Sequence, residues 1–353
     1  MKTKVKKHRF LDSEKTENIL TLNSDEAIDF FLKSDQFHGF ELPEYFNFDN
    51  VLHFVKEKIG NRQYDQCLAN GTAPDTLADV NLDILLNKDG KYAVRPLILT
   101  NPYLYYFLVR ELCSKKNWNA IKDCFDKYNV PHIKSCAIPV IPAPKEKFNK
   151  STTILNWWNA MEQRSIELSL EYRYMFATDI TNCYGSVNPQ SIEWALNRKG
   201  TVHETPANTT IAHNIQQYLK AMQQGRNIGI PQGSTVFDFV SEIILGYADL
   251  LLHEQIQKHN IVEDYEILRY RDDYRILKRH TQDWDTFPIP HTTSCGCRIS
   301  LTAATKLKGC HPTICDCADW LPETRPSTCG TTHGSSLNLR KTCQLNRPSI
   351  ARG

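Results

Sequence analysis

Nothing in this chain constrains its fold more than the stretch at 265–277, Tyr-Glu-Ile-Leu-Arg-Tyr-Arg-Asp-Asp-Tyr-Arg-Ile-Leu. Residues of high β propensity flank two adjacent acids, Asp272 and Asp273, on both sides, which predicts strand, tight turn, strand. Two carboxylates at one hairpin tip repel each other, so a positive partner is expected beside them. A divalent cation is the usual one, because Mg²⁺ takes a few carboxylates and fills its shell with substrate phosphates. An Asp-Asp turn also has a plain structural reading, since Asp favours turns for backbone reasons alone.

Two further stretches add to it. Phe176-Ala177-Thr178-Asp179-Ile180-Thr181-Asn182-Cys183-Tyr184-Gly185-Ser186 begins as a short apolar strand that delivers Asp179 at its end. Gly229-Ile230-Pro231-Gln232-Gly233-Ser234 is a loop punctuated by glycine and proline, and a long apolar-periodic helix follows it. In this order and spacing the three stretches resemble motifs A, B and C of reverse transcriptases. Asp179 with Tyr184 five residues on matches motif A, Pro231-Gln232-Gly233 matches motif B, and Tyr270-Arg271-Asp272-Asp273 matches the Tyr-x-Asp-Asp of motif C.

The resemblance implies an α+β polymerase palm, an antiparallel sheet backed by helices, with fingers inserted ahead of it. It implies two Mg²⁺ ions, or Mn²⁺ in their place, held by Asp179, Asp272, Asp273 and the main-chain carbonyl of Ile180. Two metals activate the attacking hydroxyl and stabilise the leaving group of an in-line displacement. Asp179 and Asp272 lie far apart in sequence, so a sheet must join them. Tyr184 is implied to lie below the nucleotide sugar and to favour deoxyribonucleotides. Packing beneath the sheet is the plainer role for it. Gln232 and Gly233 are implied to lie against the incoming nucleotide and the templating base, and glycine permits close backbone approach. Arg95 falls near the arginine that grips the triphosphate, and a guanidinium binds phosphate oxygens bidentately. A surface arginine in a strand that runs into Pro96 is the alternative.

The wording of the motifs, with Trp194-Ala195-Leu196 and the run at 241–250, is similar to the bacterial abortive-infection and unknown-group reverse transcriptases. That implies an RNA-directed DNA polymerase acting in defence against phage. Its partners would be an RNA template, a DNA or protein primer and deoxynucleoside triphosphates. The rival class is a catalytically impaired remnant or a nucleic-acid-binding module, since a palm without a thumb cannot hold a duplex. A nucleotide cyclase or RNA polymerase is opposed by Tyr184 and the Tyr-x-Asp-Asp.

Charge does not decide between these classes. The formal net charge of the 353 residues is +2, so any nucleic-acid groove must come from local clustering of Lys and Arg. With 41% hydrophobic residues there is enough to bury a sizeable core. No stretch approaches the roughly 18 apolar residues of a membrane span, and no apolar segment follows the basic start at 1–9. Cytoplasmic localisation without membrane contact is expected. Cys67, Cys113, Cys124, Cys136 and Cys183 are scattered singly, which suits a reducing compartment.

In chain order, Asn23 is the expected cap of a helix over 24–33, and a second helix is expected over 49–59 with Gly60 to stop it. These belong to an N-terminal helical extension at 1–80. The fingers-palm domain is expected at 81–279. Within it lie a strand at 92–102 leaving a turn at 88–90, a helix from 103 to 115, and an extended Pro-rich segment at 138–144. Lys145, Lys147 and Lys150 follow, then Trp157 and Trp158. Basic residues interleaved with aromatics suit a single-strand path, but a charge run leading into core tryptophans is the default. Further helices are expected over 154–170, after Asn188-Pro189, after a polar loop at 201–209, and for more than twenty residues from Ser234.

After His280 the text changes character. Val, Tyr and Met vanish, Thr, Cys, Pro and Ser dominate, and no period of 2 or 3.6 survives. Cys295-Gly296-Cys297, Cys310 and Cys315-Asp316-Cys317 lack the C-x₂₋₄-C spacing of common zinc sites. The expectation for 280–353 is a disordered tail that binds no metal, as a frameshifted reading of a once-normal gene would give, with the thumb missing.

Overall fold

The structure is a computed structural model describing residues 17–279, apart from 41, 44, 69–70, 78–79, 88–93, 142–152, 155, 181, 198–205 and 259–263. The basic start, the turn at 88–90, the lysines at 145, 147 and 150 and the Cys-rich tail therefore lie outside the described residues.

The chain opens with helices α1 (Ser24–Phe31), α2 (Ser34–Phe37) and α3 (Asp49–Ile59). Asn23 caps α1 through a capping box, accepting from the N–H groups of Asp25 and Glu26 while the Glu26 side chain accepts from the Asn23 N–H. Gly60 ends α3 at φ +51°, the left-handed conformation glycine adopts without strain. Strands β1 (Leu82–Asn87) and β2 (Val94–Leu99) form a separate antiparallel pair with Leu82 opposite Leu99. Asn101 caps α4 (Pro102–Cys113), whose first position is the proline, and α5 (Lys115–Tyr128) follows directly.

Strand β3 (Ile133–Ser135) leads to a π-helical turn, Trp158–Gln163, continuous with α6 (Arg164–Leu168). Then come β4 (Tyr174–Asp179), α7 (Cys183–Ser186), α8 (Ser191–Asn197), α9 (Pro206–Met222), α10 (Thr235–Lys258), β5 (Tyr265–Tyr270) and β6 (Asp273–Lys278). The main sheet runs β3-β5-β6-β4. Strand β5 pairs antiparallel with β6, and β6 pairs antiparallel with β4.

Both faces of this sheet are covered, so its strands read as nearly continuous apolar runs. Tyr265, Ile267, Tyr274 and Ile276 join one large core with α10 and the helices α1, α3, α4, α5 and α9. The N-terminal helices are thus part of the same core: the Phe31 ring lies 5.8 Å from that of Phe239 on α10. On the other face Leu268 and Leu277 pack against Met161 and Leu168 of the π-turn and α6. Helix α10 is the spine of the molecule. Val236, Val240, Ile243 and Ile244 on it are fully buried, and each such side chain contributes roughly 1.5–3 kcal/mol.

The architecture is mixed α+β. Strand β3 is parallel to β5, with Ile133 opposite Ile267, so the sheet is not purely antiparallel. Three residues after a helix carry no periodicity to announce such a strand. The polar loop expected at 201–209 gives way at Pro206, where α9 begins, because proline is pre-shaped for a first helical position. Toward the C-terminal half of α10, Leu250 and Leu252 are buried and Leu251 is half-buried. Trp158 is not core. It is 48% exposed, because the π-turn adds a residue and rotates the helix face. Among the described residues no helix is long and apolar enough to cross a membrane.

Candidate active site

Strand β4 ends on Asp179, which lies opposite Asp273 in the ladder with β6. The two-residue turn between β5 and β6 is Arg271-Asp272, and the Asp272 carbonyl accepts from the Ile180 N–H at 3.0 Å. The three acids therefore lie at the same end of the sheet, although the first stands far ahead of the others in sequence. Asp179 Oδ1 is buried without a hydrogen-bond partner. Burial raises the Asp272 carboxyl above the ordinary range, and the like charges of Asp273 and Asp179 raise it further. The turn N–H and Arg271 pull it back only in part. Burial, with the Asp272 charge beside it, pushes the Cys183 thiol up to about 12, so that residue is no thiolate nucleophile.

Among the described residues no three His, Cys, Asp or Glu side chains converge to cage an ion by themselves. Mg²⁺ needs no such cage, since one or two carboxylates suffice when substrate phosphates complete the shell. An orphaned buried carboxylate oxygen beside a second carboxylate of raised pKa fits a hard divalent cation.

A buried ion network supports the turn from behind. Arg269 on β5 is fully buried and donates from Nε to Asp249 Oδ2 at 2.8 Å. It also grips Glu242 from Nη1 and Nη2, at 2.8 and 3.1 Å. Ser135 Oγ donates to Glu242 and Tyr274 OH to Asp249, so both acids of α10 keep a second partner. Arg269 Nη1 also reaches the Arg271 carbonyl at 3.2 Å. Burial outweighs these contacts at Asp249, whose carboxyl rises to about 6.

Tyr184 on α7 is buried, and its hydroxyl donates to Asp238 Oδ1 at 2.7 Å. Asp238 Oδ2 accepts from Arg271 Nη2 at 2.6 Å. The loop at 228–233 joins this region to β2. Its Ile230 N–H donates to the Tyr184 carbonyl and its Gly229 N–H to that of Val187. The Gln232 carbonyl accepts from the Ile98 N–H at 2.7 Å, and Gly233 sits at φ +131°. A Cβ on Gly233 would lie 2.8 Å from the Ile98 carbonyl oxygen, so the close approach that demands glycine is to the strand β2. Arg95 is exposed on that strand, three residues before Ile98 and so roughly 10 Å along it. Trp157 packs edge-on against Tyr270 with ring centroids 6.5 Å apart.

Asp179, Asp272, Asp273 and Ile180 are thus brought together, and Tyr184 joins them through Asp238 and Arg271. Gln232 and Gly233 border the group, and Arg95 stands apart on the hairpin. The ionic residues Asp238, Glu242, Asp249 and Arg269 escaped the sequence reading. A signal existed: the three acids fall four and seven residues apart, one stripe down an otherwise apolar helix. Searches of protein-family models and of characterised proteins each return no match for this chain.

Proposed function

We propose that the chain is an RNA-directed DNA polymerase that adds deoxynucleotides to a DNA or protein primer on an RNA template, acting in the cytoplasm in phage defence. One observation carries this reading: Asp179, with an unpartnered buried oxygen, is delivered beside the Asp272-Asp273 pair, where burial raises the Asp272 carboxyl. In this reading the sheet β3-β5-β6-β4 is the palm and the β1–β2 pair belongs to the fingers.

Asp179, Asp272, Asp273 and the Ile180 carbonyl would hold two Mg²⁺ ions. When bound, these supply charge that activates the primer hydroxyl and stabilises the leaving pyrophosphate. The chain's own residues do the rest. The carboxylates are fixed by the β4–β6 register and by the Ile180–Asp272 hydrogen bond, so the site needs little reorganisation at reaction. Tyr184 restricts the space at the sugar and so selects deoxyribonucleotides. Gln232 and Gly233 border the nucleotide, and Arg95, which stands apart on β2, is the arginine assigned to its triphosphate.

The test is primer extension with purified chain, Mg²⁺ and an RNA template. Asp179→Asn and Asp272→Asn should each lower incorporation by at least about 10³-fold, the scale of losing a preorganised electrostatic group. Folded variants that extend primer at the parental rate would sink the proposal.

A further inference from the structure

Asp238 lies in the first turn of α10, where an anion is favoured by the helix dipole, but its two oxygens are used elsewhere. One takes the Tyr184 hydroxyl at 2.7 Å and the other the Arg271 guanidinium at 2.6 Å. Both oxygens are thus committed to donors. Asp238 bridges α7, which carries Tyr184, to the β5–β6 turn, which carries Asp272, as a side-chain tie beside the backbone hydrogen bond from Ile180 to Asp272.

The turn needs such a bridge. Arg271 sits at φ +54°, a left-handed conformation that disfavours a residue with a long side chain. Conformations of this kind persist where the surroundings over-determine them. Here the Asp238 carboxylate holds the Arg271 side chain, which lies 5.6 Å over the Tyr270 ring, and Arg269 holds its carbonyl. The next residue is Asp272, tied to Ile180 beyond the end of β4. Moving Arg271 therefore moves a candidate metal ligand. Burial, with the Asp238 charge beside it, keeps the Tyr184 phenol protonated far above neutral pH, so its donor role is constant.

We propose that Asp238 is a positioning and specificity-determining residue that locks the Tyr184 ring to the Arg271-Asp272 turn, so that sugar selection and carboxylate placement are set together. The inference rests on the polymerase reading above for its consequence, but the mechanical link is testable without it.

The specificity test compares the parent with Asp238→Asn, Tyr184→Phe and the double variant, each first shown to be folded by its melting curve. Asp238→Asn keeps an acceptor for Tyr184 but loses the charge on Arg271. The ratio of kcat/KM for deoxy- over ribonucleotides should fall roughly tenfold, the scale of one hydrogen bond to a charged group. Tyr184→Phe keeps the ring, frees its tip and should fall less. The double variant should match Asp238→Asn within about twofold, because both changes cut one chain of contacts. A ratio unchanged in Asp238→Asn, or additive effects in the double variant, would overturn the proposal.

The second measurement uses no nucleotide. Hydrogen exchange of the segments 174–187 and 265–278 should quicken in Asp238→Asn, with the Ile180 amide as reporter of the turn. Unchanged exchange overturns the link whatever the activity. Faster exchange in a protein whose parent incorporates no nucleotide would overturn the polymerase reading and leave the link standing.

Discussion

Arg269→Met should unfold this protein more readily than any other single change on β5, and the loss should depend on pH. The guanidinium makes three hydrogen bonds to Glu242 and Asp249, and all three side chains are essentially inaccessible to water. Methionine preserves much of the volume but leaves two acids facing each other without a cation. Removing one partner of a buried pair costs about 3–5 kcal/mol. At about 2.1 cal/mol/K of unfolding entropy per residue, a chain of 353 residues shifts by about 1.3 °C per kcal/mol, so Tm should fall by about 4–7 °C at pH 8.

The acids have an escape in protonation. Asp249 already has its carboxyl raised to about 6 in the intact network, above the ordinary range. A raised folded pKa means that the folded state binds the extra proton. Asp249's contribution is therefore full below about 4 and is lost as pH rises through 6. Without Arg269 that pKa climbs further, and each pH unit of acidification returns up to about 1.4 kcal/mol per acid. The loss at pH 6 should thus be no more than about half that at pH 8. Differential scanning calorimetry at the two pH values measures both, and Arg269→Met/Glu242→Gln/Asp249→Asn should recover most of the stability. A Tm within about 2 °C of the parent at pH 8, or an equal loss at both pH values, would refute the account of the network.

Gly233→Ala should cost about 1–3 kcal/mol in backbone strain, and more from the contact with Ile98, so urea unfolding should show a clearly lower midpoint. Tyr184→Ala should raise ribonucleotide use relative to deoxyribonucleotide use, read as the ratio of specificity constants. It should also lower stability by about 3–5 kcal/mol, the scale for emptying a buried aromatic site. Asp272→Asn removes a carboxyl raised by burial and by its acidic neighbours, whose ionisation destabilises the fold as pH rises. Its metal-free Tm should equal or exceed the parent's at pH 8, and the parent's stabilisation by added Mg²⁺ should disappear.

The parts of the fold legible in the sequence are those whose signals are local. The β5–β6 hairpin, the strand ending on Asp179 and the Asn23 cap need only neighbours to specify them. The helix at Asp49–Ile59 is marked by its own period and by Gly60. What was not legible depends on distant partners. Arg269 reads as a polar break in an apolar strand, yet it is fully buried because α10 brings two acids to it. Gly233 reads as a point of close backbone approach, but nothing near it in sequence says that a Cβ there would meet the backbone of β2. The same holds for Trp158, whose exposure follows from an irregular turn that no pattern of apolar residues encodes.

The order of strands in the main sheet, β3-β5-β6-β4, has a consequence for how the chain assembles. Its two outer strands are synthesised first, and the hairpin that lies between them arrives last of the four. Strands β3 and β4 must therefore wait, unpaired with each other, until β5 and β6 slide into the gap. The pairing of β4 with β6 closes a loop that contains α7 to α10, which makes it a slow, non-local event. The helical body can collapse beforehand, but the carboxylates cannot meet until that insertion is finished. Refolding should accordingly be biphasic, with the binding of divalent cation tracking the later phase while helix content tracks the earlier one. Chains interrupted before Tyr265 would carry an open slot lined by apolar side chains, the kind of surface that chaperones and aggregation compete for.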